Sequence, residues 1–179
     1  MEKQQVILVN EINEPIGFAG KMQSHREGLL HRAFSVFIFN SKGDMLLQQR
    51  AKNKYHSAGL WTNTCCSHPR PGEDTLTAAN IRLREEMGIE TKLEQIFDFI
   101  YKAEFDNGMT EYEFDHVFAG QYDGEITCNR EEVIDYYFKD IRKIKQALIM
   151  HPEKFTARFQ LAFSKVEMWW NKRYQVKMA

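Results

Sequence analysis

Between Lys92 and Gly120 the chain reads as two long strands joined by one tight turn, and that commits it to a sheet. Ile96, Phe97, Phe99, Ile100 and Tyr101 make the first arm strand-like, and Asp106-Asn107-Gly108 supplies the turn, with Asn-Gly its strongest element. From Thr110 the side chains alternate. Tyr112, Phe114, His116 and Phe118 fall on one face, and Glu111, Glu113 and Asp115 on the other. His116 sits with the apolar set and reads as a core histidine with its hydrogen bonds satisfied. The acidic face reads first as solvent-facing, although like charges this close also suit a cation held between them.

Further elements follow on both sides. Val6-Ile7-Leu8-Val9 is a buried strand and Asn13-Glu14-Pro15-Ile16-Gly17 a turn. Ala33–Phe39 and Met45–Arg50 flank the turn-forming tract Asn40–Asp44, a second hairpin. Thr75 to Met87 repeats apolar residues at helical spacing (Leu76, Ala79, Leu83, Met87), and Gly88 is placed to close that helix. Glu131–Phe138 gives a last strand. Two helices end the chain, from Asp140 to Met150 and from Pro152 to about Tyr174, the second with an aromatic stripe that reads as core.

At 179 residues one domain is expected, large enough for a core without staples. A formal charge of −1 offers nothing to a polyanion or a charged membrane surface, so nucleic acid and membrane are not expected partners. Met1-Glu2-Lys3-Gln4-Gln5 and a four-residue apolar run do not make a signal peptide, and no stretch approaches the roughly 20 apolar residues of a span. Cys65, Cys66 and Cys128 are odd in number and two are adjacent, which suits a reducing cytoplasm better than a disulfide framework.

The chemistry gathers around Trp61-Thr62-Asn63-Thr64-Cys65-Cys66-Ser67-His68-Pro69. If this segment is extended, Cys66 and His68 project from one face, so a thiol and an imidazole look into one cavity. Such a Cys is more often a buried small hydrophobe than a reagent. His25 and His31, six apart, fit no single helical face; a loop or strand entry is expected, and alone they read as surface histidines. The basic run Arg50–His56 is either a solvated loop or an anion clamp. Arg82 and Glu86 share a helix face, which by itself is a surface ion pair of little worth.

Arg82-Leu83-Arg84-Glu85-Glu86-Met87-Gly88-Ile89, with Glu73 ahead of it, resembles a degenerate Nudix box. Ser67 stands for the first Gly and Glu73 for the isolated Glu; Glu85, Glu86, Gly88 and Ile89 fit, while Arg82 replaces a Glu. The hydrolases of that superfamily use the helix to hold metals that assist attack by water. A cation at position 82 disfavours that reading, though hydrolysis of another diphosphate stays as the alternative. Together with Trp61–Pro69 and Glu111-Tyr112-Glu113, the broken box resembles type I isopentenyl-diphosphate isomerase over nearly the whole chain.

The resemblance implies an α+β fold: a Nudix-type mixed sheet flanked by helices, with an added N-terminal strand and C-terminal helices. It implies one domain over 1–179 with its core at about 31–165. It implies interconversion of isopentenyl and dimethylallyl diphosphates with Cys66 and Glu113 as catalytic groups and Tyr101 as relay. His25, His31, His68, Glu111 and Glu113 would bind one Mn²⁺ or Zn²⁺, and Glu86 with the substrate's diphosphate one Mg²⁺, with no organic cofactor. Lys21, Arg50, Lys54 and Arg82 would clamp the diphosphate. The partner is a small allylic or homoallylic diphosphate, and the protein a cytoplasmic monomer or weak dimer. One departure stands out: the family's F-[ST]-P-W reads Phe155-Thr156-Ala157-Arg158 here, so Phe159 or Trp61 is expected to supply the π-face for the carbocation.

Overall fold

In the computed structural model, which describes residues 4–54 and 56–174, nine strands form one mixed sheet centred on β3 (His31–Phe39). Met1 to Lys3, part of the segment read as lacking a leader, and Tyr55 of the basic loop lie outside the described residues. β3 runs parallel to β8 (Thr110–Gln121), which pairs antiparallel with β7 (Glu94–Glu104) in the expected hairpin. On its other edge β3 meets β6 (Cys65–Ser67), and single bridges join it to β1 (Gln5–Val9) and β4 (Met45–Arg50). β1 pairs with β2 (Pro15–Gly20); β4 pairs with β5 (Trp61–Thr62) and β9 (Val133–Lys139).

Both faces of β3 are covered, which is why its sequence is an almost unbroken apolar run. Phe34, Val36 and Ile38, with Phe118, pack on Ala78, Ala79, Leu83 and Met87 of α2 (Thr75–Met87). Phe37 and Phe39, with Val117 and Ala119, pack on Ile141 and Ile144 of α3 (Ile141–Met150) and on Phe159, Phe163 and Val166 of α4 (Ala157–Tyr174). Each such side chain contributes about 1.5–3 kcal/mol by leaving water. α2 forms as its sequence signals: Asp74 caps it by accepting from the Thr77 N–H at 2.9 Å, and Gly88 ends it at φ 67. A Cβ on Gly88 would lie 2.8 Å from the Thr127 carbonyl oxygen, so the position needs glycine for space as well as for conformation.

The acidic face of β8 is buried rather than solvent-facing: Glu111 is 4% exposed, and Glu113 and Asp115 are fully buried. The reason is a change of character along one sheet face. It is polar where β3 and β8 begin (His31, Ser35, Glu111, Glu113, Asp115) and apolar where they end (Phe37, Phe39, Val117, Ala119). α1 (Lys21–Glu27) packs against β8 and α4 against β7, which closes the polar half off from water. Asp115 accepts from the Ser35 hydroxyl at 2.7 Å, and burial lifts its carboxyl to about 7. His116 has its ring nitrogens 3.1 Å from the side-chain nitrogens of Asn13 and Gln95, and the neutral ring can accept from one of these amides.

Three expectations change. Pro15 to Gly17 open β2, the turn lying just before them with Asn13 at φ 66. His25 sits in α1, too short to show apolar periodicity, while His31 opens β3. The last helix is broken after a single 3-10 turn at Pro152–Lys154. There Thr156 donates its N–H to the Trp61 carbonyl at 3.0 Å, and its hydroxyl accepts from the Phe159 N–H at 3.3 Å to restart the helix.

The β3–β4 hairpin also opens beyond Phe39 and Met45. The Asn63-Thr64 corner enters the gap: the Ile38 N–H donates to the Thr64 hydroxyl and that hydroxyl donates to the Leu46 carbonyl, both at 2.9 Å. Asn63 donates its amide to the carbonyls of Val36 at 3.1 Å and Cys65 at 2.8 Å. Side chains thus stand in for ladder bonds between the two strands. No helix among the described residues is long and apolar enough to cross a membrane.

Candidate active site

The site lies where the sheet is split and its polar half begins. His31 and Glu113 are register partners across β3 and β8; His68 follows β6 directly, and α1 carries His25. The Nε2 of His68 is 3.2 Å from that of His31 and 3.0 Å from Glu113 Oε1, which is 3.6 Å from His31 Nε2 and 3.9 Å from His25 Nε2. His25 and His31 hold their Nδ1 atoms 2.7 Å from the carbonyls of Lys21 and Leu29. A carbonyl can only accept, so both rings carry the proton on Nδ1 and present bare Nε2 lone pairs. Burial pushes the His25 pKa down and that of His68 well down, which keeps these two rings neutral. Four donor atoms within 4.8 Å of one another can hold a metal ion, and neutral imidazoles with a carboxylate are the chemistry such an ion takes.

Glu111 converges with His25 and His56 in a second donor group and also joins a neighbouring network. The Tyr101 hydroxyl lies 3.0 Å from Glu111 Oε2 and 2.7 Å from Glu113 Oε2, one phenol between two carboxylates. Arg158 completes it, its Nε donating to the Tyr101 oxygen at 2.6 Å and its Nη2 reaching both carboxylates. Burial raises the Glu111 pKa; burial also opposes ionisation of Glu113, but Arg158 and His68 outweigh it and hold that carboxyl well below the ordinary range. Glu111 faces the open cleft with Cys66 and His68, while Glu113 and Tyr101 lie one layer behind. Burial pushes the Cys66 thiol up, against the pull of Arg158 and Arg50. Cys65 points the other way, into the core beside α2.

Lys21, Arg50, Lys54 and Arg82 all line the same cleft, as does Glu86. Arg82 Nε is 2.8 Å from Glu86 and its Nη2 3.0 Å from Glu132, which also pairs with Lys54. Glu86 is 4% exposed and accepts from Gln48 at 3.0 Å, so its pair with Arg82 is no ordinary surface contact. Two expectations fail here. Phe159 is fully buried between Phe37 and Phe155, and Trp61 packs on Tyr137; neither reaches the cleft, because both belong to the core under α3 and α4.

Four residues of the site escaped the sequence reading. Arg158 enters the sequence only as the residue at the place of the family's Trp, and His56, 3.4 Å from Glu111 and stacked on Phe105, stands in a basic loop. Gln48 and Glu132 carried no motif. The one available signal was Arg158, a charge in an otherwise apolar helical stripe.

Residues 29–159 match the NUDIX domain, and the fold agrees. The chain superposes on DR0079 of Deinococcus radiodurans with a TM-score of 0.75 at 17% identity, covering 90% of this chain and 98% of that one. The MutT protein of Methanosarcina mazei gives a TM-score of 0.63 at 22% identity, with 78% and 94% covered. By fold and box this is a NUDIX-domain protein.

Sequence narrows the class. The isopentenyl-diphosphate Delta-isomerase of Pectobacterium atrosepticum is 48% identical over 170 residues, 95% of each chain. Isopentenyl-diphosphate Delta-isomerase 2 of Photorhabdus laumondii is 46% identical, covering 92% of this chain and 96% of that one. The chain belongs to the isopentenyl-diphosphate Delta-isomerase family.

Proposed function

We propose that this chain interconverts isopentenyl and dimethylallyl diphosphates, adding a proton to one end of the alkene unit and removing another from the neighbouring carbon. Such a shift passes through a tertiary carbocation, so the site has to hold a strong acid and a base in a dry pocket with negative charge nearby. Cys66, kept as a thiol by burial, holds one proton at the cleft wall. The carboxylate of Glu113 is the other partner, and the Tyr101 hydroxyl links it to Glu111, which faces the cleft. Thiol and carboxylate exchange roles when the reaction runs backward. The carboxylates of Glu111 and Glu113 lie beside the cation, partly offset by the Arg158 guanidinium.

Lys21, Arg50, Lys54 and Arg82 hold the diphosphate at the mouth of the cleft. An ion, Mn²⁺ or Zn²⁺, would be held by His25, His31, His68, Glu111 and Glu113, and Mg²⁺ by Glu86 with the diphosphate. When bound, these ions supply positive charge that neutralises the diphosphate and stabilises the Glu113 carboxylate. The whole chain, 1–179, acts as one unit on this small diphosphate, as a monomer or weak dimer without organic cofactor. A cytoplasmic setting agrees with three free cysteines.

The observation that carries the reading is Cys66 on the wall of a cleft whose α2 side shows Arg82 where a hydrolase would keep a carboxylate. Incubation with isopentenyl diphosphate and divalent metal in deuterated water should place deuterium in dimethylallyl diphosphate. Release of inorganic phosphate without deuterated product would replace this reading with a hydrolase.

A further inference from the structure

Next to the cleft lies a second space, an open groove of about 530 Å³, of a size that takes ligands well beyond five carbons. Leu60, Phe105, Phe155 and Ala157 give it apolar surface, where the loop before β5, the tip of the β7–β8 hairpin and the start of α4 meet. Glu104, Asp106 and Glu153 also line it, and among the described residues no Lys or Arg does. It therefore suits an uncharged hydrocarbon and not a diphosphate. Among the described residues His56 alone lines both groove and cleft. On the cleft side its Nε2 is 3.4 Å from Glu111 Oε1. On the other side Phe105 stacks on the ring, with centroids 4.7 Å apart and planes 13° from parallel. Nδ1 lies 3.2 Å from the Ser57 hydroxyl, and Ser57 turns the chain right after the ring at φ 52, which few residues other than glycine adopt. The His56 side chain, 7% exposed, is thus a partition held at one face and both nitrogens.

We infer that the stacked His56–Phe105 pair is the end wall of the substrate site and sets the length of hydrocarbon this chain accepts. Closed, it confines the site to a five-carbon diphosphate; opened, it lets the site run on into the groove and take a ten-carbon isoprenoid diphosphate. This rests on the diphosphate-binding part of the reading above and deepens it. The cations Arg82 and Lys54 meet at Glu132 on the α2 side, so a substrate held there extends its hydrocarbon past Cys66 toward Glu111 and His56. A longer chain reaches the groove only by displacing the imidazole, which forfeits its stacking on Phe105 and its contact with Glu111 together. Without the wall, each further methylene that leaves water favours binding by about fourfold.

The probes are isopentyl diphosphate and 3,7-dimethyloctyl diphosphate, saturated chains that bind without reacting, measured by calorimetry with Mn²⁺ and Mg²⁺ present. The unmodified protein should bind the longer probe at least about tenfold more weakly than the shorter. His56→Ala removes the partition, and Phe105→Ala removes its backing so that the imidazole can swing into the groove. Each should move the ratio of the two dissociation constants at least about tenfold toward the longer probe. The ratio is the readout because a change at the diphosphate affects both probes alike. Adding Ala157→Leu to His56→Ala fills the groove and should reverse most of the gain. Equal affinity for the two probes in the unmodified protein, or a ratio that neither variant moves, would overturn the inference. If His56→Ala fails to fold by near-ultraviolet circular dichroism, Phe105→Ala decides alone. Failure of the isomerase reading would appear separately, as missing deuterium in dimethylallyl diphosphate while isopentyl diphosphate still binds.

Discussion

The imidazole group around Glu113 and the outer group around Arg82 are built from the same kinds of charged and polar side chains, with opposite results. Inside, backbone carbonyls fix the rings of His25 and His31 so that their lone pairs converge before anything binds. Outside, Arg82 and Lys54 share Glu132, and Arg82 also pairs with Glu86, so the cations suited to a diphosphate already hold carboxylates. The inner group is preorganised and costs stability, since its imidazoles and the Glu113 carboxylate are taken out of water, with the Arg158 guanidinium offsetting the carboxylate's charge. The outer group is satisfied in itself and has to exchange partners when substrate arrives. On the proposed reading, chemistry falls where donor atoms are already set and recognition where ion pairs can be exchanged.

The sharpest way to break that contrast is at the reacting groups. Cys66→Ala and Glu113→Gln should each lower kcat by about 10²–10⁴-fold, the usual cost of a lost acid or base; near-normal turnover of either variant contradicts the assignment. Next in size is Phe159→Ala, which removes a fully buried ring and should cost about 3–5 kcal/mol in denaturant unfolding. The folded fraction should keep its kcat, because Phe159 does not reach the cleft.

Glu132→Gln tests the outer group alone. It weakens the hold on Lys54 and Arg82, so KM should fall a few-fold with kcat little changed, in line with pairs worth about 1 kcal/mol. A rise in KM would mean that Glu132 aims these cations rather than occupying them. pH gives a further measure. Asp115 rises from 3.8 to about 7 on folding, so between those values the folded state binds the extra proton. Stability of the chelator-treated protein should therefore fall as pH climbs through that window, and Asp115→Asn should flatten the slope. Smallest of all on catalysis is Cys65→Ser, whose side chain faces α2; its kcat should stay within about threefold of normal.

Much of this was readable in the chain, for a physical reason. The β7–β8 hairpin and α2 are specified by local alternation, an Asn-Gly turn, an N-cap and a closing glycine, all within a few residues of one another. The common face of Cys66 and His68 followed from strand geometry alone. What escaped was set by distant neighbours. Alternation placed Glu111, Glu113 and Asp115 on one side but could not say that α1 and α4 would cover it. Arg158 meets its partners across 45 to 57 residues, beyond any periodicity. α1 carries His25 on seven residues with no apolar repeat, so nothing local announced it.

The corner at Asn63-Thr64 has one more consequence. Where most hairpins zip shut, this one is wedged apart by a hydroxyl and an amide that satisfy the strands' own peptide groups. The crevice is therefore a permanent architectural fault line, sealed at its base, and Cys66 inherits its outlook from the failure of two strands to join.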